Sequence, residues 1–338
     1  MSIALIITIT LVMGVIFVNG WTDAPNAIAT AVSTRVLKPN VAIGIAVVMN
    51  FLGALVMTFF NAQVAETISN IVSFDSQGIQ AAQVALAASL FSIVVWAVAA
   101  WYFGIPTSES HALIAGLTGS AMALGGLNAV NGQEWTKVLI GLVVSTILGF
   151  GGGYLITKLL VFIFRDVPRR KATKFFTWGQ ASAAAANAFL HGAQDGQKFM
   201  GVFMLGLFYN NLAEKTGNGF VIPIWVMALC SITMGIGTSV GGMRIIKSVG
   251  MDMVKLETYQ GFSADLSAAI CLFLASIFGI PVSTTHTKTT AIMGVGASRR
   301  LSSVDWRIVR EMVFAWVMTF PGCGLIAYVM AKLFVAIF

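Results

Sequence analysis

The feature that most constrains this chain is a succession of apolar runs too long for a soluble core. Segments 2–18, 41–60, 84–103, 138–164, 221–240, 266–280 and 312–336 each approach the ~20 residues a helix needs to cross a bilayer. Barrel strands would read instead as alternating segments of ~10 residues. Charged residues make up 10% of the chain and hydrophobic ones 57%, against about 25% charged in a soluble domain. Too little polar surface is left for a water-soluble fold of this size. The chain therefore reads as an all-α polytopic protein embedded in the lipid bilayer. The run that starts at Met1 has no basic leader and no small-residue cleavage site after it, so it is expected to be a retained first helix.

Two stretches recur. Gly104-Ile105-Pro106-Thr107-Ser108-Glu109-Ser110-His111 is matched by Gly279-Ile280-Pro281-Val282-Ser283-Thr284-Thr285-His286, with five of eight positions identical at an offset of 175. Asn19-Gly20-Trp21-Thr22-Asp23 corresponds to His191-Gly192-Ala193-Gln194-Asp195 at an offset of 172. Two motifs in the same order at nearly one offset indicate a duplicated unit. This divides the chain into an N-terminal repeat, 1–164, a basic cytoplasmic linker, 165–175, and a C-terminal repeat, 176–338.

The net charge of +7 is no sign of nucleic-acid binding, because the basic residues sit between spans. Cytoplasmic loops carry the Lys and Arg excess. One crossing per hydrophobic unit gives about five crossings per repeat. Arg35 and Lys38, the linker, Arg244 to Lys255 and Arg299 to Arg310 then fall inside, while Lys137, Lys215 and the loop 61–80, with Glu66 and Asp75, fall outside. An odd number of crossings makes the two repeats antiparallel, the architecture of alternating-access carriers. Residues 2–37 would extend ~54 Å as one helix, so a break is expected around Asn19 to Asn26, and a second in 176–209 around His191 to Lys198. Re-entrant hairpins at these two places are the alternative. They would put Arg244 to Lys255 outside, so crossing, broken helices are preferred.

Asp23 and Asp195 lie deep in apolar sequence at equivalent points of the repeats. An intramembrane carboxylate is costly and by default marks an ion or substrate path. One alone could be a helix cap, but a symmetric pair beside helix breaks points to function. The second motif, Thr107-Ser108-Glu109-Ser110 and Ser283-Thr284-Thr285, ends one apolar segment and begins another, as a hydroxyl-capped helix start does. Such starts offer free N–H groups to an anion, and the hydroxyls also accept from a protonated oxyanion. No Arg falls in any motif; Lys198 and Lys288 are the nearby cations, against Asp23, Asp195 and Glu109. A dianion among carboxylates needs compensation, and bound cations are its natural source. Asp23, Glu109 and Asp195, with the amide and hydroxyl oxygens beside them, are therefore the candidate Na⁺ ligands. The candidate substrate contacts are Asp23, Thr107, Ser108, Ser110, Asp195, Ser283, Thr284 and Thr285. His111, His191 and His286 all fall in these motifs, either as a proton relay or as hydrogen-bonding anchors. Asp265 is a further candidate, with a helix N-cap as the alternative. Cys230, Cys271 and Cys323 lie in apolar runs without metal spacing and imply no disulfide framework.

The run Asn19 to Thr30, the run His191 to Lys198 and the run Pro281 to Thr287 resemble the signatures of the inorganic phosphate transporter (PiT) family, over essentially the whole chain. Gln194 stands where that family commonly has Asn, and Thr22 where it often has His or Asn. The resemblance implies cation-coupled phosphate symport in the plasma membrane, an inverted-repeat fold and a homodimer, with no cofactor beyond the co-transported Na⁺ or H⁺. Residue by residue it points to Asp23, Asn26, Asp195 and the segments 107–110 and 283–285, which adds Asn26 to the candidate Na⁺ ligands and Asn26 and Gln194 to the candidate substrate contacts. The expected function is import of inorganic phosphate coupled to Na⁺. The rivals are a proton-coupled carrier of phosphate, metal-phosphate or sulfate, an intramembrane enzyme using Asp23 and Asp195, and a channel.

Overall fold

The computed structural model describes residues 3–74, 78–103, 107–217, 219–240 and 243–337. Gly104, Ile105 and Pro106 of the first repeated motif, Asp75 of the loop 61–80, and Met1 lie outside the described residues. The first repeat comprises α1 (Ile3–Thr22), α2 (Pro25–Ser33), α3 (Pro39–Phe60), α4 (Gln63–Ser69), α5 (Ile79–Phe103), α6 (Glu109–Gly125) and α7 (Gly132–Phe164). After Arg165 to Pro168 the second repeat follows. It comprises α8 (Arg169–Phe208), a two-stranded turn of β1 (Lys215–Thr216) and β2 (Gly219–Phe220), α9 (Ile224–Val240), α10 (Met243–Lys247), α11 (Thr258–Ile277), α12 (Thr284–Arg299) and α13 (Trp306–Ile337). Most of the basic stretch 169–175 is thus the opening of a helix rather than a linker.

By length and composition, seven of the described spans are apolar enough to cross a bilayer. Their packing corrects the count of about five crossings per repeat. Helices α5 and α6 fold back on each other: Gly116 lies against Ile93 and the Ser89 carbonyl, and a bridge pairs Val72 with Val130. The Ser73 N–H donates to the Ala129 carbonyl at 2.9 Å, and the Asn131 N–H to that of Ile71 at 3.0 Å. The chain therefore enters α5 and leaves α6 at one place. Helices α11 and α12 form the matching hairpin at the opposite end, where Arg299 pairs with Glu257 at 3.2 Å and the Asp305 N–H reaches the Met253 carbonyl at 3.1 Å. Each repeat holds one such hairpin beside three other helical paths, α1–α2, α3 and α7 in the first and α8, α9 and α13 in the second. A hairpin whose two arms are apolar reads like two crossings, and the parity is the same. The repeats therefore remain inverted, and the basic loops keep to one face. Phe175 and Phe176, beside the basic stretch, meet Phe262 near the start of α11 on that face.

Only one of the two expected helix breaks is present. Between α1 and α2 the Ala24 N–H reaches back to the Asn19 carbonyl at 3.3 Å, and the Asn26 N–H takes that of Asp23 at 3.0 Å. Pro25 opens α2, lacking an N–H and clashing with the preceding turn. At the equivalent point of the second repeat stands Gln197, and α8 runs on unbroken for 40 residues, ~60 Å at 1.5 Å per residue.

Close crossings bring the repeats together at the centre. A Cβ on Gly53 of α3 would lie 1.8 Å from the Phe189 carbonyl oxygen, and one on Gly192 of α8 would lie 2.2 Å from that of Asn50. Without water to drive association, small residues that let backbones touch are how membrane helices pack.

Candidate functional site

The α1–α2 break, the middle of α8 and the starts of α6 and α12 converge on one buried polar centre. Asp23, Asn26, Glu109, Asp195 and Lys198 there are all 3% exposed or less. Each hairpin tip delivers a helix start: Ser108 Oγ accepts from the His111 N–H at 3.3 Å, and Ser283 Oγ accepts from the His286 N–H at 3.0 Å. These two serines cap their helices. The next residues of each helix turn toward the carboxylates.

Around Asp195, Lys198 Nζ donates to Oδ1 at 2.7 Å and Ser110 Oγ to the same oxygen at 3.4 Å. Asn19 Nδ2 donates to Oδ2 at 3.1 Å, as does Thr284 Oγ1 at 3.3 Å, with His191 Nε2 3.4 Å away. Around Asp23, Oδ1 accepts from Asn26 Nδ2 at 2.8 Å and from the Thr285 hydroxyl. Asp23 Oδ2 and Asn26 Oδ1 are buried and have no hydrogen-bond partner. One ligand atom each from Asp23, His191 and Asp195 lie within 4.8 Å of one another, a grouping that could hold a metal ion.

The other expected residues have defined places. Thr22 donates to Glu109 Oε1 at 3.0 Å, tying the α1 end to the first hairpin. Gln194 Nε2 donates to Ser276 Oγ at 3.0 Å and to the Ile280 carbonyl at 3.4 Å, so it braces the second hairpin tip. Thr107 is half-buried at the entry to α6. The imidazoles are anchored: His191 Nδ1 lies 2.8 Å from Asn50 Oδ1, and His286 Nε2 lies 2.9 Å from Thr146 Oγ1.

Asp265 is no N-cap; Glu257 holds that place on α11. It is fully buried and pairs with Lys288 of α12, while Thr30 of α2 donates to it at 2.6 Å and Asn187 of α8 donates to its backbone carbonyl at 2.7 Å. The pairings of both lysines, and the parts of Asn19, Thr30 and Asn187, are what the sequence reading missed. An Asp three residues before a Lys on one helix face was a visible signal for the first pair. The second joins two arms of a hairpin and had none.

Chemically, the centre offers what an oxyanion and a hard cation need together. Two helix starts present N–H groups and hydroxyls. Three carboxylates are buried there with one paired lysine, and three amide or carboxylate oxygens, Asn19 Oδ1, Asp23 Oδ2 and Asn26 Oδ1, stand without donors. Comparison with known proteins places this arrangement in company. Two stretches, 19–170 and 164–327, match the Phosphate transporter family, one in each repeat. A probable low-affinity inorganic phosphate transporter of Bacillus subtilis (strain 168) is 40% identical over 334 residues, 97% of this chain and 98% of that protein. A protein of the same description from Rhizobium meliloti (strain 1021) is 40% identical over 312 residues, 92% and 90% of the two chains. A solved structure titled the sodium-dependent phosphate transporter covers the whole of both chains with a TM-score of 0.89 at 23% identity, which establishes the shared fold.

Proposed function

This chain belongs to the phosphate transporter family, and we propose that it imports inorganic phosphate together with Na⁺ by alternating access. It is a multi-pass protein of the cell membrane and a transporter, not an enzyme. The observation that carries the finer reading is the assembly of one centre from two hairpins that enter from opposite ends of the molecule. Asp23 of the first repeat is bonded by Thr285 of the second, and Asp195 of the second by Ser110 of the first. Rocking one repeat against the other opens such a centre to one face at a time.

Na⁺ enters through charge. Asp23, Glu109 and Asp195 are buried, and among the described residues the ammonium paired with one of them is that of Lys198, on Asp195, so an incoming phosphate anion needs further positive charge beside it. The partnerless Asp23 Oδ2 and Asn26 Oδ1 are oxygens of the kind that hold hard cations. The structure similar over both full lengths carries sodium dependence in its title, which supports the same reading here. The phosphate would sit against the starts of α6 and α12, taking N–H groups and the Ser110, Thr284 and Thr285 hydroxyls. The deciding experiment is radiolabelled phosphate uptake into proteoliposomes with Na⁺ and proton gradients imposed separately. Uptake driven by Na⁺ alone is expected; uptake driven by protons without Na⁺ would overturn the coupling.

A further inference from the structure

The two halves of the centre are built alike and charged differently. At the offset of 172 that relates the first motifs, Asp23 and Asn26 correspond to Asp195 and Lys198; at 175, Ser110 corresponds to Thr285. The bonds correspond as well. Asn26 Nδ2 donates to Asp23 Oδ1 at 2.8 Å and to Thr285 Oγ1 at 2.7 Å. Lys198 Nζ donates to Asp195 Oδ1 at 2.7 Å and to Ser110 Oγ at 2.7 Å. Each half-site is thus a carboxylate, a donor three residues on, and a hydroxyl from the first turn of the other repeat's hairpin. In one half the donor is a neutral amide, in the other an ammonium.

Within each pair of carboxylate and donor the hydrogen-bond inventory follows the charge; outside the pairs, Asn19 Oδ1 is also buried without a partner. Lys198 directs its three protons to a carboxylate, a hydroxyl and the Val282 carbonyl, the mixed oxygen set a small cation takes. Asp195 has partners on both oxygens. In the amide half, Asp23 Oδ2 and Asn26 Oδ1 have none, although these residues are only 1% and 2% exposed. Buried acceptors left without a donor are expensive, and a cation relieves both at once.

We propose that Lys198 is a tethered cation, filling in one half-site the place that a mobile, co-transported cation fills in the other. The inference rests on the Na⁺ reading above and deepens it. The Asp23–Asn26 half takes the ion, the Asp195–Lys198 half does not, and the transport cycle uses one cation fewer than a carrier with amides in both places.

The test compares the wild type with Lys198→Asn and Asn26→Lys, the two exchanges that make the halves alike. Purified protein is unfolded thermally over a Na⁺ series, with choline holding ionic strength, and phosphate uptake is measured in proteoliposomes over the same series. Stabilisation by a bound ion grows as RT ln(1 + [L]/Kd), so the steepness of stability against log [Na⁺] counts ions, and one extra site adds about one to that count. Lys198→Asn is expected to gain about one Na⁺, with uptake moved to higher Na⁺ and steeper in it, and Asn26→Lys to lose about one. Unchanged steepness in both variants, or a decrease in Lys198→Asn, overturns the assignment. If Lys198→Asn fails to fold, Asn26→Lys decides alone: wild-type steepness overturns the proposal and a loss of one ion upholds it. A wild type indifferent to Na⁺ in both assays overturns the Na⁺ reading itself, which separates that failure from failure of the Lys198 assignment.

Discussion

His111 and His286 face each other with ring centroids 6.1 Å apart, each in the first turn of its hairpin's second arm and related by the 175-residue offset. Both rings lean on α13, His286 on Trp316 at 4.2 Å and His111 on Phe320 at 4.9 Å between centroids. The two hairpin tips therefore meet across the pseudo-twofold axis and are wedged by one helix.

That packing, with the Thr146 bond, assigns His286 a positioning part rather than a proton relay. His286→Gln keeps a side chain able to bond Thr146. Since one hydrogen bond contributes about 0.5–1.5 kcal/mol, uptake should stay within about tenfold of wild type. Abolished uptake in correctly folded protein would restore the relay.

Asp23→Asn and Asp195→Asn should both abolish phosphate uptake, but for different reasons. Asn at 23 still accepts from Thr285 and keeps the fold while removing the charge that holds the cation. Asn at 195 also leaves Lys198 buried without its counter-charge, and breaking a buried pair costs about 3–5 kcal/mol. Uptake, size-exclusion profiles and thermal unfolding of each variant check this. Near-normal uptake in both would defeat the site.

The buried pair of Asp265 and Lys288 joins α11 and α12, with Thr30 and Asn187 of α2 and α8 bonded to the same aspartate. Asp265→Asn or Lys288→Met alone should destabilise by about 3–5 kcal/mol, and the double change by much less, because no lone charge is left buried. Thermal unfolding of the three variants measures the coupling. Additive losses would show that the pair does not act as a unit.

Cysteines introduced at Ser73 and Asn131 should react with an impermeant reagent from outside, and ones at Thr173 and Ser302 from inside. A cysteine at Ser108, fully buried at the first hairpin tip, should resist the reagent from inside. Five crossings per repeat would place it in an inner loop instead, so ready labelling there would refute the hairpin.

At the reciprocal crossing of α3 and α8, Gly53→Ala puts a methyl where the Phe189 carbonyl lies. Overpacking of this kind costs about 1–3 kcal/mol. The variant should unfold at lower temperature than Gly44→Ala, whose Cβ would meet nothing within 4 Å. Equal unfolding temperatures would mean that the helices part without strain.

The inverted duplication was legible because its markers are chemical. Asp23 and Asp195 stand out in apolar sequence, and the capped helix starts at Ser108 and Ser283 recur nearly letter for letter. The hairpins were not legible, since α5 and α6 carry enough apolar length to count as separate crossings and the charge rule tests parity alone. The second helix break was misjudged from symmetry. Gln197 stands where Pro25 stands in the first copy, and a single ring decides whether the helix breaks. The partners of Asp265 come from three other helices, and only the tertiary arrangement brings them together.

The re-entrant arm α12 also dictates an order of assembly. Its sequence, from Thr284 to Arg299, carries five threonines, a histidine, a lysine and an arginine, and its 16 residues fall short of the ~20 a helix needs to cross a bilayer. Insertion machinery that selects segments by partition into lipid would leave it in water. It becomes soluble in the membrane only once α7 is there to cover it, with Gly149 and Gly153 set against its backbone. The first repeat must therefore be in place before the second can close, and the carrier is born from its N-terminus as a template for its own inverted copy.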